Sequence, residues 1–180
     1  MKATHSAALA ASPWVERFAP ALAAGGSVLD LACGGGRHGR LLLARGHPVT
    51  LLDRDITGVA DLATCESAEI IQADLEDGSP WPLGQRLFDA VVITNYLHRP
   101  LFANILACIA PDGALIYETF AVGNERFGQP RNPAFLLRPG ELREWLEPEL
   151  EILACEQLTV EQPRPGVVQR IAARRPASSK

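Results

Sequence analysis

The chain has 180 residues, 47% of them hydrophobic and 21% charged, a length and mix that suit a single domain around one core. Lys and Arg number 17 against 21 Asp and Glu, and the net charge of −4 disfavours nucleic acid, whose non-specific binding needs several cations to displace phosphate counterions. No apolar run approaches the roughly 18–20 residues of a membrane span.

The N-terminus carries Lys2, but His5, Ser6 and Ser12-Pro13 interrupt its apolar stretch, which makes a poor signal peptide. A cytoplasmic address is therefore expected by elimination. Ser12-Pro13 reads as a helix start, with Trp14, Val15, Phe18 and Leu22 as an apolar stripe and Pro20 as a kink. Such a helix either covers the core or acts as a lid over a ligand. The first strand is Ser27 to Ala32. A glycine cluster follows, then a helix through Leu41, Leu42 and Leu43 that stops at Gly46.

A second strand is predicted over Pro48 to Asp53, a short helix around Val59 to Leu62, and a third strand over Glu69 to Ala73. Residues 75–87 hold two prolines and two glycines and read as a loop. Phe88 to Thr94 is a continuous apolar strand, the pattern of one buried on both faces. Pro100 opens a helix whose Leu101, Phe102, Ile105, Leu106 and Ile109 share a face. Pro111-Asp112-Gly113 predicts a turn, and Ala114 to Thr119 a fifth strand. Beyond an irregular region at 120–140, a short helix is expected over Glu141 to Leu146. Leu150 to Val160 and Val167 to Ala173, split by Pro163, Pro165 and Gly166, read as an antiparallel pair at the sheet edge. The order predicts βαβ units on a parallel sheet. One domain over 1–176 is expected, with a helical cap at 1–26 and a tail at 177–180. Cys33, Cys65, Cys108 and Cys155 form no C-x-x-C pair, which leaves reduced thiols and no metal site.

The residues richest in chemistry are Asp30-Leu-Ala-Cys-Gly-Gly-Gly, which close a strand and open a helix. Glycines there let a ligand approach the backbone, and free N–H groups at a helix start favour an anionic group. Gly34, Gly36 and Gly39 also satisfy the GxGxxG spacing of nicotinamide dinucleotide sites, with Asp53 near the distance of a ribose-binding acid. A carboxylate at Asp30 would repel a pyrophosphate over that loop, so an NAD-dependent oxidoreductase is the weaker reading.

VLDLACGGGRHGRLLLARGHPVTLLDRD resembles the first two strands of class I methyltransferases that use S-adenosylmethionine (SAM), and IIQADLED and FDAVVITNYLHRP resemble their third and fourth strand ends. The resemblance covers residues 27–120, and the late β pair is similar to that family's reversed edge strand. FGQPRNPAFLLRPGEL is similar to segments of the small tellurite-resistance type. The implied fold is Rossmann-like: a mostly parallel seven-stranded sheet, helices on both faces, and an antiparallel edge strand.

Carried over, the resemblance implies that the backbone of Ala32, Gly34 and Gly36 brackets the methionine moiety of SAM and that Asp30 lies near its ammonium. Asp53 would bind both ribose hydroxyls, Asp74 and Leu75 would read adenine, and Thr94 and Asn95 would border the sulfonium. Arg37 either pairs with the SAM carboxylate or is an exposed first-turn arginine. Asp55 and Asp77 read as turn or cap residues.

On the acceptor side, Asn95-Tyr96-Leu97-His98 replaces the Asn/Asp-Pro-Pro-Tyr/Phe of enzymes that methylate base or glutamine nitrogens. His98 either removes a proton from the acceptor or caps the helix at Pro100. Tyr96 and Tyr117 either shape the pocket or fill the core. Arg126, Arg131, Arg138 and Arg143, with Phe127, Gln129 and Phe135, form either a cationic acceptor pocket or a solvated loop. Little chain remains for a large substrate, which favours a small-molecule methyl acceptor such as a thiol or metalloid oxyanion, with S-adenosylhomocysteine (SAH) as product. A homodimer completing the surface stays open, as does a SAM-binding module without catalysis.

Overall fold

In the computed structural model, which describes residues 10–161 and 164–177, seven strands of the described residues form one sheet. They are β1 (Val28–Leu31), β2 (Val49–Asp53), β3 (Ala68–Gln72), β4 (Phe88–Thr94), β5 (Ile109–Phe120), β6 (Glu151–Val160) and β7 (Gly166–Arg174). Their spatial order is β3-β2-β1-β4-β5-β7-β6. Strands β1 to β5 run parallel, β7 is antiparallel to β5, and β6 is antiparallel to β7. This is the expected Rossmann-like, mostly parallel sheet, but the reversed strand is β7, one in from the edge, and the edge strand β6 again runs with β1 to β5.

Period-two packing explains the unbroken apolar runs. Leu29, Leu31, Val91, Ile93, Leu115 and Tyr117 face one core; Val28, Ala90, Val92 and Ile116, one residue out of step, face another. Helix α1 (Pro13–Phe18) and α2 (Arg37–Ala44) cover the second core through Trp14, Val15 and Leu42. Helix α3 (Phe102–Ala107) and α4 (Glu141–Leu146) cover the first through Ile105, Leu142 and Leu146, and Phe102 stacks on Trp145 with ring centres 3.6 Å apart.

Several expectations change in detail. Ile109, expected on the helix face with Leu101 and Ile105, is the first residue of β5, because α3 ends at Ala107. The helix around Val59 is a 3-10 helix over Thr57–Thr64. The turn at Pro111–Gly113 lies inside β5 as a register shift: Ile109 pairs with Phe88, and the next pair is Ala114 with Ala90. Pro100 sits in a short 3-10 turn, Arg99–Leu101, that leads into α3.

Helix α1 is anchored as a cover. Ser12 caps it by accepting the Trp14 N–H at 3.1 Å, and the Trp14 indole donates to the Ile171 carbonyl at 3.1 Å. At Ala19 the helix tightens to 3-10 geometry ahead of Pro20. Among the described residues no helix is long and apolar enough to cross a membrane. The expectations on Lys2, His5, Ser6 and the start of the helical cap, on Pro163, and on the tail beyond residue 177 lie outside the described residues.

Candidate functional site

The C-terminal ends of β1 and β4 mark the point where strand order reverses, the crevice where such sheets hold ligands. From Leu31 the chain passes through Ala32 (φ 55°), Gly34 (φ 52°) and Gly36 (φ 71°) into α2. A Cβ on Gly36 would lie 2.5 Å from Val59 Cγ1, so this glycine exists for packing as well as for its left-handed backbone. Gly34 faces open space. The Thr57–Thr64 helix supports the loop from behind, since a Cβ on Gly58 would meet Gly35 Cα at 2.9 Å.

Two carboxylates take the N–H groups of this segment. Asp53, at the end of β2, accepts the Gly34 N–H at 2.8 Å through Oδ2 and the Asp55 N–H at 3.0 Å through Oδ1. Asp30, 1% exposed, accepts the Gly39 N–H at 2.8 Å. Burial pushes the Asp30 carboxyl up to about 7, against the Gly39 hydrogen bond and the Arg37 charge. An internal carboxylate thus sits under the first turn of α2, which a dinucleotide pyrophosphate would need for itself.

A cavity of about 600 Å³ opens above these strand ends, inside the range of about 300–1,000 Å³ usual for small ligands. One end is lined by Ala32, Asp53, Asp74, Leu75 and Glu76, and the middle by Asn95 and Tyr96. Asp74 is held in a turn by the Glu76 N–H at 2.9 Å. Asn95 adopts φ 55° and donates its N–H to the Glu118 carbonyl at 2.9 Å, which turns the chain at the end of β4.

Of the residues singled out from sequence, Ala32, Asp53, Asp74, Leu75, Asn95 and Tyr96 therefore meet in one cavity, and Gly34 joins them through Asp53. The others sit elsewhere. Asp30 lies beneath α2, not in the cavity wall. Gly36 packs on Val59. Thr94 does not line the cavity, because its hydroxyl is paired with His38 Nδ1 at 3.2 Å. Arg37 faces an adjoining recess and donates to the Ala10 carbonyl at 3.1 Å. Burial draws its guanidinium below its ordinary value, with Glu118 and Asp30 opposing.

The His98 ring makes no capping hydrogen bond; its backbone carbonyl receives the Leu101 N–H instead. The ring Nδ1 lies 3.9 Å from Glu76 Oε2 at the cavity's edge. Tyr117 is a core residue whose hydroxyl donates to the Tyr96 carbonyl at 2.8 Å. The Tyr96 hydroxyl is buried and has no partner among the described residues, and burial, with Glu76 nearby, raises its phenol above the ordinary value.

Of the two readings of the cationic segment, its arginines take that of a solvated loop and line no part of the cavity. Arg138 pairs with Glu141 at 3.5 Å and Glu144 at 3.6 Å, Arg143 pairs with Glu147 at 3.3 Å, and Arg126 lies over Phe127. Neither they nor Arg131 and Phe127 line the cavity, whereas Gln129, Pro130 and Phe135 do. The cation at this end is Arg164, in the β6–β7 turn. Glu76 and Arg164 escaped the sequence reading. Glu76 follows Asp74-Leu75 in an acidic run, a weak signal; Arg164 had none beyond its neighbouring prolines.

Acidic strand ends around a nucleoside-sized crevice, with a glycine bend beside them, define a Rossmann-like ligand-binding domain. The chain belongs to the methyltransferase-domain family, whose model matches residues 3–148. It is 30% identical over 144 residues to a tRNA U34 carboxymethyltransferase of Methylococcus capsulatus, a match covering 68% of this chain and 44% of that protein. The chain thus spans less than half of that relative. It is similar in fold to TehB from Haemophilus influenzae, with a TM-score of 0.76 at 19% identity over 92% of this chain and 62% of that one. A Burkholderia thailandensis 1,6-didemethyltoxoflavin-N1-methyltransferase, solved with bound 1,6-didemethyltoxoflavin and SAH, has a TM-score of 0.66 at 20% identity, covering 91% of this chain and 79% of that one.

Proposed function

We infer that the cavity binds SAM and that the chain transfers its methyl group to a small-molecule acceptor. The observation that carries this reading is Asp53. Each of its oxygens accepts one backbone N–H from behind while the residue lines the cavity, so lone pairs remain for ribose hydroxyls. Asp74 and Leu75 stand next to it for the adenine edge, and Ala32 and Gly34 offer backbone to the amino-acid tail. Arg37 is assigned to the SAM carboxylate, and Asp30 lies below the loop, where it accepts the Gly39 N–H that fixes the first turn of α2.

Bound SAM supplies a methyl group already activated on a sulfonium, which an acceptor lone pair takes in line as the carbon–sulfur bond breaks. The protein's task is then alignment and exclusion of water, worth about 7–11 kcal/mol in favourable cases. Asn95 and Tyr96 border the reacting region. A thiolate or metalloid oxyanion needs no general base. For a protonated acceptor, His98, beside Glu76 at the cavity's edge, is assigned as the base.

Calorimetry with SAM, SAH and NAD tests the donor. SAH and SAM should bind, and NAD should not. Asp53→Ala should cost about 2–3 kcal/mol of SAH affinity, roughly 30- to 150-fold; unchanged affinity refutes the assignment. Transfer from labelled SAM to a panel of small thiols and metalloid oxyanions separates an enzyme from a binding module.

A further inference from the structure

The β6–β7 turn brings to the far end of the cavity a cation that SAM binding leaves unused. A Cβ on Gly166 would lie 2.7 Å from Asn124 Oδ1 and 3.4 Å from Phe120 Cε1, so the turn approaches the 120–140 segment as closely as backbone allows. Asn124 Oδ1 also accepts the Val167 N–H at 3.3 Å. The turn is thereby drawn onto a small third core of Phe120, Leu136 and Val168, and the Arg164 guanidinium stands 5.2 Å from the Phe120 ring centre.

Beside the large cavity lies a recess of about 80 Å³ that shares Asn95, Phe120 and Arg164 with it. Its wall carries the guanidiniums of Arg37, Arg164 and Arg170 against the single carboxylate of Glu118. Glu118 is already engaged, by the Ser12 hydroxyl at 2.7 Å and by Arg170 at 3.4 Å, and Arg170 is further paired with Glu156 at 3.1 Å. Arg37 and Arg164 form no ion pair among the described residues. Two forked cations without counter-ions, next to apolar walls, select an oxyanion. Arg37 adjoins the glycine loop and belongs with the donor. Arg164 stands on the side of Phe120 and Phe135.

We propose that Arg164 fixes a carboxylate of the methyl acceptor, a small planar organic acid whose apolar body lies against Phe120 and Phe135. The proposal rests on the SAM reading of the cavity. It makes acceptor selectivity a property of the β6–β7 turn, outside the segment that matches the family model.

The test is calorimetry on the full chain. SAH is titrated first; 4-mercaptobenzoate and the neutral 4-mercaptobenzamide are then titrated into the SAH-loaded protein. The acid should bind about tenfold more tightly than the amide, and Arg164→Met should remove that difference while SAH affinity stays within about twofold. Arg37→Met should weaken SAH instead. Equal affinity of acid and amide in the wild type overturns the proposal. So does an Arg164→Met variant that weakens SAH as much as Arg37→Met does, because the recess would then serve the donor's own carboxylate. Failure of SAH to bind the wild type, seen in the first titration, brings down the donor reading and this proposal with it.

Discussion

Asp30 and Asp53 both stand near the ends of neighbouring strands, yet their surroundings give them opposite chemistry. Asp53 is half-buried and looks into the cavity, whereas Asp30 is enclosed under α2 with the Gly39 N–H as its partner. The Asp30 carboxyl, raised from 3.8 to about 7, keeps its proton in the fold at pH values where the unfolded chain has released it. Stability therefore falls as pH rises from 3.8 toward 7 and levels off above, the sign for an acid that burial holds neutral. Asp30→Asn keeps an acceptor for Gly39 and cannot ionise. Between pH 5 and pH 8 it should gain about 2–3 kcal/mol relative to the wild type, read from urea unfolding at the two pH values. A constant difference across that interval would show that Asp30 is ionised throughout.

At the scale of elements, the junction between α1, α2 and β4 runs through a single imidazole. The Ser12 N–H donates to His38 Nε2 at 3.1 Å, so that nitrogen is unprotonated, and Nδ1–H is left to face the Thr94 hydroxyl. Burial pushes His38 from 6.5 down to about 3. The unfolded chain takes up a proton below 6.5 that the fold refuses, so this contribution is intact above 6.5 and is lost progressively as pH falls toward 3. His38→Asn should make the loss of stability between pH 6.5 and pH 4 shallower by about 1.4 kcal/mol per pH unit relative to the wild type, whatever its offset at pH 7. An unchanged slope would mean that His38 is charged in the fold. Ser12→Ala, which removes the cap and the Glu118 contact, should cost about 1–2 kcal/mol in the same assay.

Nothing in the local sequence marked this clamp, because its partners lie 26 and 56 residues from His38. What was legible is local. The bounds of β4 and α4 follow from apolar patterns ended by polar or glycine residues, and Ala32, Asp53, Asp74 and Asn95, the residues proposed for the donor, stand at or just past strand ends, where a parallel sheet must gather them. The cationic segment is a solvated loop and not a pocket for an equally local reason. Glu141, three residues ahead of Arg138, captures it just before α4, and Glu147, four ahead of Arg143, captures that one along the helix, before any ligand can. Arg164 reaches the cavity by strand return, which composition does not encode.

On the SAM reading, the whole molecule divides the work between two ends of the cavity. The end proposed for the donor is built from β1, β2 and the loop after β3. The end proposed for the acceptor is strapped on, and its buckle is Arg99. That guanidinium donates to both Glu141 oxygens, at 2.6 and 2.9 Å, and to the Ala134 and Leu136 carbonyls at 2.8 and 3.0 Å. It holds Glu141, whose side chain is 7% exposed, below the usual carboxylate range. Removing one partner of such a pair leaves the other desolvated and uncompensated, at a cost of about 3–5 kcal/mol when fully buried and less here, where Arg99 is about a third exposed. Glu141→Gln should therefore destabilise the chain by about 2–3 kcal/mol in urea unfolding and speed hydrogen exchange at the Leu136 and Leu137 amides. SAH affinity should stay within about threefold, because Asp53 and Asp74 share no contact with the strap and distant sites add independently. If SAH affinity falls in step with stability, the donor crevice depends on the strap, and donor and acceptor sites are one cooperative unit.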